Sequence, residues 1–257
     1  MNSRHCDGRT ERLVLGRSAQ EYGLVSRALS QLSTAQRSAG RLGYSSRFVR
    51  PVDLRGKDVL DIGCGSGWFV TFAAHNGARR VVGIDLSLSS LGIAHNSLNY
   101  PGIAVARASA IQLPFRHSSI DTVVCWEVLE HVPAGAELKL LTTIRSVLRE
   151  NGTLYLSTPL MSLPSTFLDP AYWLMGHRHY SVEGLRSLAR RAGFESPYIE
   201  VRGGWCDILC SWDMYASKWI LHRPPLLEPS LRGLVEREFG DQSGFVSIFA
   251  RLRPKSI

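Results

Sequence analysis

From Lys57 onward, short runs rich in β-branched residues alternate with segments of helical period, and this alternation is what most narrows the folds open to the chain. Strands are expected over 58–63, 80–85, 103–108, 120–126 and 153–157. Helices are expected over 68–76, 88–98 and 134–149, the last ended by Asn151-Gly152. A strand, a helix and a second strand in succession build a parallel pair, so this series gives a doubly wound sheet. Ser181 then caps a helix with Leu185, Leu188, Ala189 and Ala192 on one face, stopped by Gly193, and strands near 197–202 and 244–252 complete a mostly parallel, seven-stranded α/β sheet. Two stretches, 160–180 and 203–242, exceed what the alternation needs. They are expected as insertions at the carboxyl edge of the sheet, where open α/β folds bind their ligands.

The segment ahead of the sheet reads differently. Residues 1–18 are polar and aperiodic, a disordered tail, and 19–56 reads as a helical cap with Tyr22, Val25, Leu29 and Leu32 at helical spacing; 57–257 is the main domain. Apolar residues make up 44% and charged residues 20%, which suits a folded, water-soluble protein. The net charge of +8 is concentrated: Met1–Gly56 holds ten arginines against four acids, and the remaining 201 residues are close to neutral. With only four lysines in the chain and no basic stripe over the sheet, a nucleic-acid partner is not expected. No window of about 18 apolar residues occurs, and no signal-like start, so a cytoplasmic location is expected. Five cysteines without a CxxC spacing fit a reduced compartment, and no metal is assigned to them.

The nine residues VLDIGCGSG, Val59 to Gly67, carry the chemistry. A buried strand delivers the chain into a glycine turn that opens a helix, so Gly63, Gly65 and Gly67 let a ligand approach the backbone. A dinucleotide site wants a glycine at position 68, where this chain has Trp68. Asp61 adds a carboxylate that would repel a pyrophosphate and attract an ammonium group. Asp85, about twenty residues past the loop in GIDLS, stands where an acid can accept both hydroxyls of an adenosine ribose.

VLDIGCGSG, GIDLS, ASAIQLPF, DTVVCWEVLEHV and LRENGTLYLSTP follow one another in the order of the class I S-adenosylmethionine-dependent methyltransferases, and over roughly Arg41 to Phe194 the chain resembles that family. CWEVLEHVP and RLGY resemble more closely the ubiquinone-pathway O-methyltransferases. The resemblance implies a Rossmann-like methyltransferase fold with S-adenosyl-L-methionine as cofactor. It implies that Asp61, Gly63 and Gly65, with Cys64 between them, hold the methionine end, Asp85 and Leu86 the ribose, and Ala110 and Ile111 the adenine. Trp126 should lie close by. Ser109 departs from the pattern, since the family usually has an acid there that bonds the adenine amino group.

Glu127, Glu130 and His131 follow the fourth strand. In the quinone branch they suggest either a divalent cation or a general base, but a helix-start role for the acids is favoured here and no metal is assigned. Methyl transfer to an oxygen needs alignment and removal of one proton, and the candidate bases are His131 and His179, the latter in the GHRHY segment of the first insertion. In the second insertion Trp205, Ile208, Leu209, Trp212, Ala216, Trp219 and Ile220 fall at helical spacing, an amphipathic helix expected chiefly to pack on the domain, with a substrate wall or membrane-edge contact as the alternative. The expected activity is O-methylation of a small apolar or lipid-linked acceptor such as a quinone, phenol or glycolipid sugar. Two rival readings are a nucleic-acid or protein methyltransferase, disfavoured by STPL at the fifth strand in place of Asn-Pro-Pro-Tyr, and a non-catalytic module that only binds the cofactor.

Overall fold

The structure is a computed structural model that describes residues 40–97 and 101–255. The expected tail, and the expected cap helix up to residue 39, lie outside the described residues. What is described of the cap is α1 (Gly40–Phe48).

Strands β1 (Asp58–Ile62), β2 (Arg80–Asp85), β3 (Ile103–Arg107), β4 (Ile120–Trp126), β5 (Leu148–Pro159), β6 (Tyr198–Arg202) and β7 (Ser247–Leu252) form one sheet in the order β3-β2-β1-β4-β5-β7-β6. The first five pair in parallel, whereas β7 runs antiparallel between β5 and β6. All five residues of β1 are buried, which is why that strand reads as an unbroken run instead of an alternating one. The chain winds outward from β1 to β3 and then returns to β4 beside β1, so the carboxyl ends of β1 and β4 flank the switch point of the sheet.

Two apolar cores lie on the two faces, and β4 divides its side chains between them with period two. Val123 and Cys125 join the face covered by α4 (Glu137–Val147) and α7 (Val182–Arg191); Val124 and Trp126 join the face covered by α1, α2 (Trp68–His75) and α9 (Leu227–Gly240). Helix α3 (Leu88–Ser97) follows β2. Ser181 caps α7 as expected, its side chain accepting from Gly184 N–H.

Three local expectations need correction. Helix α4 stops at Val147, because Leu148 is already extended and pairs with Ile120; Gly152 serves instead at the irregularity in β5, where a Cβ would meet the Arg149 and Asp121 carbonyl oxygens at 2.9 and 3.0 Å. Glu127 and Glu130 do not start a helix, since α4 begins at Glu137. The second insertion holds two helices, α8 (Trp205–Ala216) with a π turn over Ser217–Leu221, and then α9. The aromatic stripe of α8 does not pack wholly inward: Ile208 is buried, but Trp205, Leu209 and Trp212 are 55%, 51% and 47% exposed. Polar anchors decide the facing. Glu238 of α9 accepts the Cys206 and Asp207 N–H groups at 2.8 and 3.0 Å, and buried Asp207 accepts from Arg41, which turns the tryptophans outward. The first insertion forms α5 (Leu163–Leu168) and α6 (Pro170–Met175), each with a side-chain N-cap, Ser162 and Asp169.

Candidate active site

The glycine turn after β1 is built so that its backbone faces outward. Gly63, Gly65 and Gly67 all have positive φ, and Gly63 and Cys64 N–H both donate to the Ile84 carbonyl, at 2.8 and 3.0 Å. The glycines are not equivalent. A Cβ on Gly63 would stand 2.4 Å from Val128 Cγ2, so that residue is needed for packing, whereas a Cβ on Gly65 would meet nothing within 4 Å. The space over Gly65 is open to a ligand. The Cys64 thiol turns into the core against Gly83, where burial pushes its pKa up, so Cys64 offers a ligand only its backbone.

Asp61 is 2% exposed and its Oδ2 has no hydrogen-bond partner. Burial, and then the Asp85 carboxylate, hold it well above the ordinary aspartate range. A cation arriving beside it would relieve both effects. Asp85 is itself clamped, Oδ2 accepting from Gly65 N–H at 2.9 Å and Oδ1 from Ser87 N–H at 2.8 Å, so it ties the glycine turn to the end of β2 while keeping lone pairs for hydroxyls. Leu86 beside it is half exposed. Ala108 N–H donates to the Asp85 carbonyl, which brings Ala110 and Ile111, in the turn closed by Ser109 and Gln112, next to the same loop. Trp126 ends β4 with its ring against Phe69 and Phe249 and its Nε1 buried without a partner. The residues expected around a cofactor therefore share one edge of the sheet. Their donor set fits S-adenosylmethionine: an orphaned carboxylate oxygen for the ammonium, an open glycine cradle and a positioned acid for the ribose.

The loop after β4 holds the other half of the cleft. Glu127 has φ of 52°, uncommon for a side-chain-bearing residue, and three bonds hold it there: its N–H to the Ser157 carbonyl at 3.1 Å, Ser157 Oγ to Oε1 at 2.6 Å and Arg41 Nη1 to Oε2 at 2.7 Å. Arg41 also reaches Asp207 at 3.4 Å, so one guanidinium joins α1, the β4 loop and α8. Glu127 thus already has a cation. Glu130 is buried, accepts from Thr158 Oγ1 at 3.1 Å and leaves Oε1 unpartnered; burial, with Glu127 nearby, holds its carboxyl well above the usual range.

Two histidines meet across the cleft. The rings of His131 and His177 pack edge to face, 4.4 Å apart, and burial first, then His177 and Arg178, push His131 down to about 3. Burial also lowers His177, whose Nε2 is shielded from water and has no partner. His179 is placed otherwise: Nε2 lies 3.0 Å from Asp169 Oδ2 and Nδ1 3.3 Å from Thr166 Oγ1, which binds the first insertion to itself. Between these histidines Arg178 donates to the Leu129 and Val132 carbonyls, and Tyr180 donates to the Leu129 carbonyl at 3.0 Å, so alternate residues of GHRHY anchor the segment on the β4 loop. RLGY contains Arg41, but its contacts with Glu127 and Asp207 come from residues far along the chain and leave no local signal, and nothing local distinguishes His177 from His179.

The profile of a methyltransferase domain family matches residues 26–197, about two thirds of the chain. A Mycolicibacterium smegmatis protein named "Probable S-adenosylmethionine-dependent methyltransferase" is 32% identical over 140 residues, which make up 54% of this chain and 52% of the relative. A ubiquinone biosynthesis O-methyltransferase of Nitrosospira multiformis is 43% identical over 100 residues, 36% of this chain and 38% of that protein. The chain spans about half the length, or less, of these curated relatives. Among solved structures, an S-adenosylmethionine-dependent methyltransferase from Mesorhizobium loti superposes with a TM-score of 0.58 at 20% identity, over 85% of this chain and 99% of that one. Phosphoethanolamine N-methyltransferase 2 of Haemonchus contortus in complex with S-adenosyl-L-methionine gives 0.59 at 18% identity, over 79% and 49%. At these identities the structural likeness is one of fold.

Proposed function

Because the chain belongs to the methyltransferase domain family, we propose that it transfers a methyl group from S-adenosylmethionine to the hydroxyl of a small apolar or lipid-linked acceptor such as a phenol. One observation carries this reading. Of the eight buried side-chain polar atoms without a partner among the described residues, five belong to β1, to β4 and the loop after it, or to residues set against that loop: Arg41 Nε, Asp61 Oδ2, Trp126 Nε1, Glu130 Oε1 and His177 Nε2. Orphaned buried polar atoms are costly, so their concentration in one place argues for ligands that satisfy them.

S-adenosylmethionine supplies a methyl carbon on a positively charged sulfur. The chain's own part is to hold and align. Asp61 takes the ammonium, the Gly65 backbone lies against the methionine portion, and Asp85 orients the ribose from its two backbone bonds. On the acceptor side the buried cleft excludes water, and Glu130 and His177 offer one polar atom each toward a hydroxyl. The rim supports an apolar acceptor: Leu163, Phe167 and Trp173 of the first insertion and Trp205, Trp212 and Ile220 of the second are all exposed. Tryptophans in such a patch suit the boundary of a bilayer, so a peripheral membrane contact forms part of the proposal, while among the described residues no helix is long and apolar enough to cross one.

The test is calorimetric binding of S-adenosylmethionine, followed by incubation of the protein with radiolabelled cofactor and fractionated cell extract. Micromolar binding and label in an apolar small-molecule fraction are expected. Absence of binding would overturn the reading, and label in RNA or protein would overturn its acceptor class.

A further inference from the structure

Resting on the methyltransferase reading above, we propose that His177, carried by the first insertion, is the general base that takes the proton of the acceptor hydroxyl on its Nε2. The other polar groups of the cleft are engaged or unsuited. Both Glu127 oxygens accept, from Arg41 and from Ser157; Asp207 accepts from Arg41; both ring nitrogens of His179 are held by Asp169 and Thr166. Burial, with the Glu127 carboxylate nearby, shifts Glu130 toward its protonated form, which suits its unpartnered Oε1 to donating toward the acceptor oxygen rather than to taking its proton. His131 is so reluctant to charge that it acts as a neutral wall against which the His177 ring is set.

His177 alone in the first insertion combines a ring nitrogen that is buried and unpartnered with the electrostatic influence of two carboxylates. Asp169 of the insertion and Glu127 of the β4 loop favour its charged form, His179 and Arg41 oppose it, and burial lowers its proton affinity overall. Such a group is neutral at pH 7, ready to accept, and the imidazolium it becomes is offset by Asp169 and Glu127. In the step itself the acceptor oxygen forms its bond to the methyl carbon as the carbon–sulfur bond breaks, that bond's electron pair staying on sulfur, and the hydroxyl proton passes to Nε2. The positive charge lost from sulfur reappears on the His177 ring, from which it leaves as a proton to solvent. Arg178 and Tyr180 fix the segment on the β4 loop, so the base is positioned by the residues that alternate with it.

The probe is 4-nitrocatechol, whose ionised and neutral forms absorb differently, bound together with S-adenosylhomocysteine at a pH one unit below the probe's own pKa. The wild-type protein should bind it ionised. His177→Gln, which keeps a polar group in place but cannot take a proton, should bind it neutral, with S-adenosylhomocysteine affinity within twofold of wild type as the check on folding. Transfer to catechol should fall about 100- to 10,000-fold, and by far less to 4-nitrocatechol at a pH where the probe is already ionised; a merely structural residue would affect both alike. A wild-type protein that binds S-adenosylhomocysteine but leaves the probe neutral or unbound overturns the assignment of His177, as does a His177→Gln protein that ionises the probe as wild type does. Failure of the wild type to bind S-adenosylhomocysteine at all overturns the methyltransferase reading instead.

Discussion

Replacing Asp61 by asparagine should make the ligand-free protein more stable and its hold on S-adenosylmethionine weaker. Asp61 sits near the end of β1, 2% exposed, with Oδ2 unpartnered, and burial together with Asp85 raises its pKa. A carboxyl with a raised folded pKa binds more protons in the native than in the unfolded state. Its contribution is therefore fully present below the unfolded carboxylate value of about 4 and is lost as pH rises through the folded value. An amide has no such slope. At neutral pH, relief of a buried, unpaired acid is worth about 1–3 kcal/mol. At about 2–4 °C per kcal/mol for a chain of this length, that is a melting temperature higher by roughly 2 to 12 °C. The ammonium of the ligand meanwhile loses a charge-assisted bond worth about 1.5–3 kcal/mol, so affinity should fall about 10- to 100-fold. Scanning calorimetry at pH 5 and pH 8, with titration calorimetry of S-adenosylmethionine at pH 8, measures both. The stability gap between variant and wild type should widen toward pH 8. A variant that melts below wild type at pH 8, or that binds the ligand unchanged, refutes the reasoning.

The two glycines of the turn should separate packing from binding. Gly63→Ala adds a Cβ 2.4 Å from Val128 Cγ2 at positive φ and should lose several kcal/mol or fail to fold, while Gly65→Ala, with open space above it, should cost about 1–2 kcal/mol yet abolish measurable S-adenosylmethionine binding; melting and titration of both variants check this. His179→Ala, which strips Asp169 and Thr166 of their shared partner, should cost about 1–3 kcal/mol and admit protease cleavage within 160–180, with S-adenosylhomocysteine affinity changed less than twofold. Trp205→Ser combined with Trp212→Ser should cost about 1–3 kcal/mol, since each ring is about half buried and Trp205 packs edge to face on Phe245, and should remove co-sedimentation with vesicles of phosphatidylglycerol and phosphatidylethanolamine; retained sedimentation would count against a membrane contact through α8.

Much of the geometry about the glycine turn of the candidate site was legible in the chain because its determinants are close together in sequence. Val59 to Gly67 writes a strand, a turn and a helix start within nine residues, and Asp85 lies one strand–helix unit further on, so the parallel register of β1 and β2 brings Asp85 to Gly65 whatever the rest of the protein does. Where a reading failed, a distant contact overruled a local pattern. Periodicity put the α8 stripe on one face, but Glu238 and Arg41, reaching Asp207 from residues far along the chain, set which way that face turns.

The sequence by itself determined the strand–helix alternation of the sheet and the glycine turn with Asp61 and Asp85 about it, because backbone period and turn chemistry act over a few residues. Only the tertiary structure brought together the side chains of the β4 loop and those of the insertions. Arg41 joins Glu127 and Asp207 across separations of 86 and 166 residues, and GHRHY sends His177 toward His131 and His179 toward Asp169. Two histidines two residues apart are alike to any local rule; what distinguishes them is which one finds a carboxylate close enough to bond and which is left with a buried, unsatisfied nitrogen.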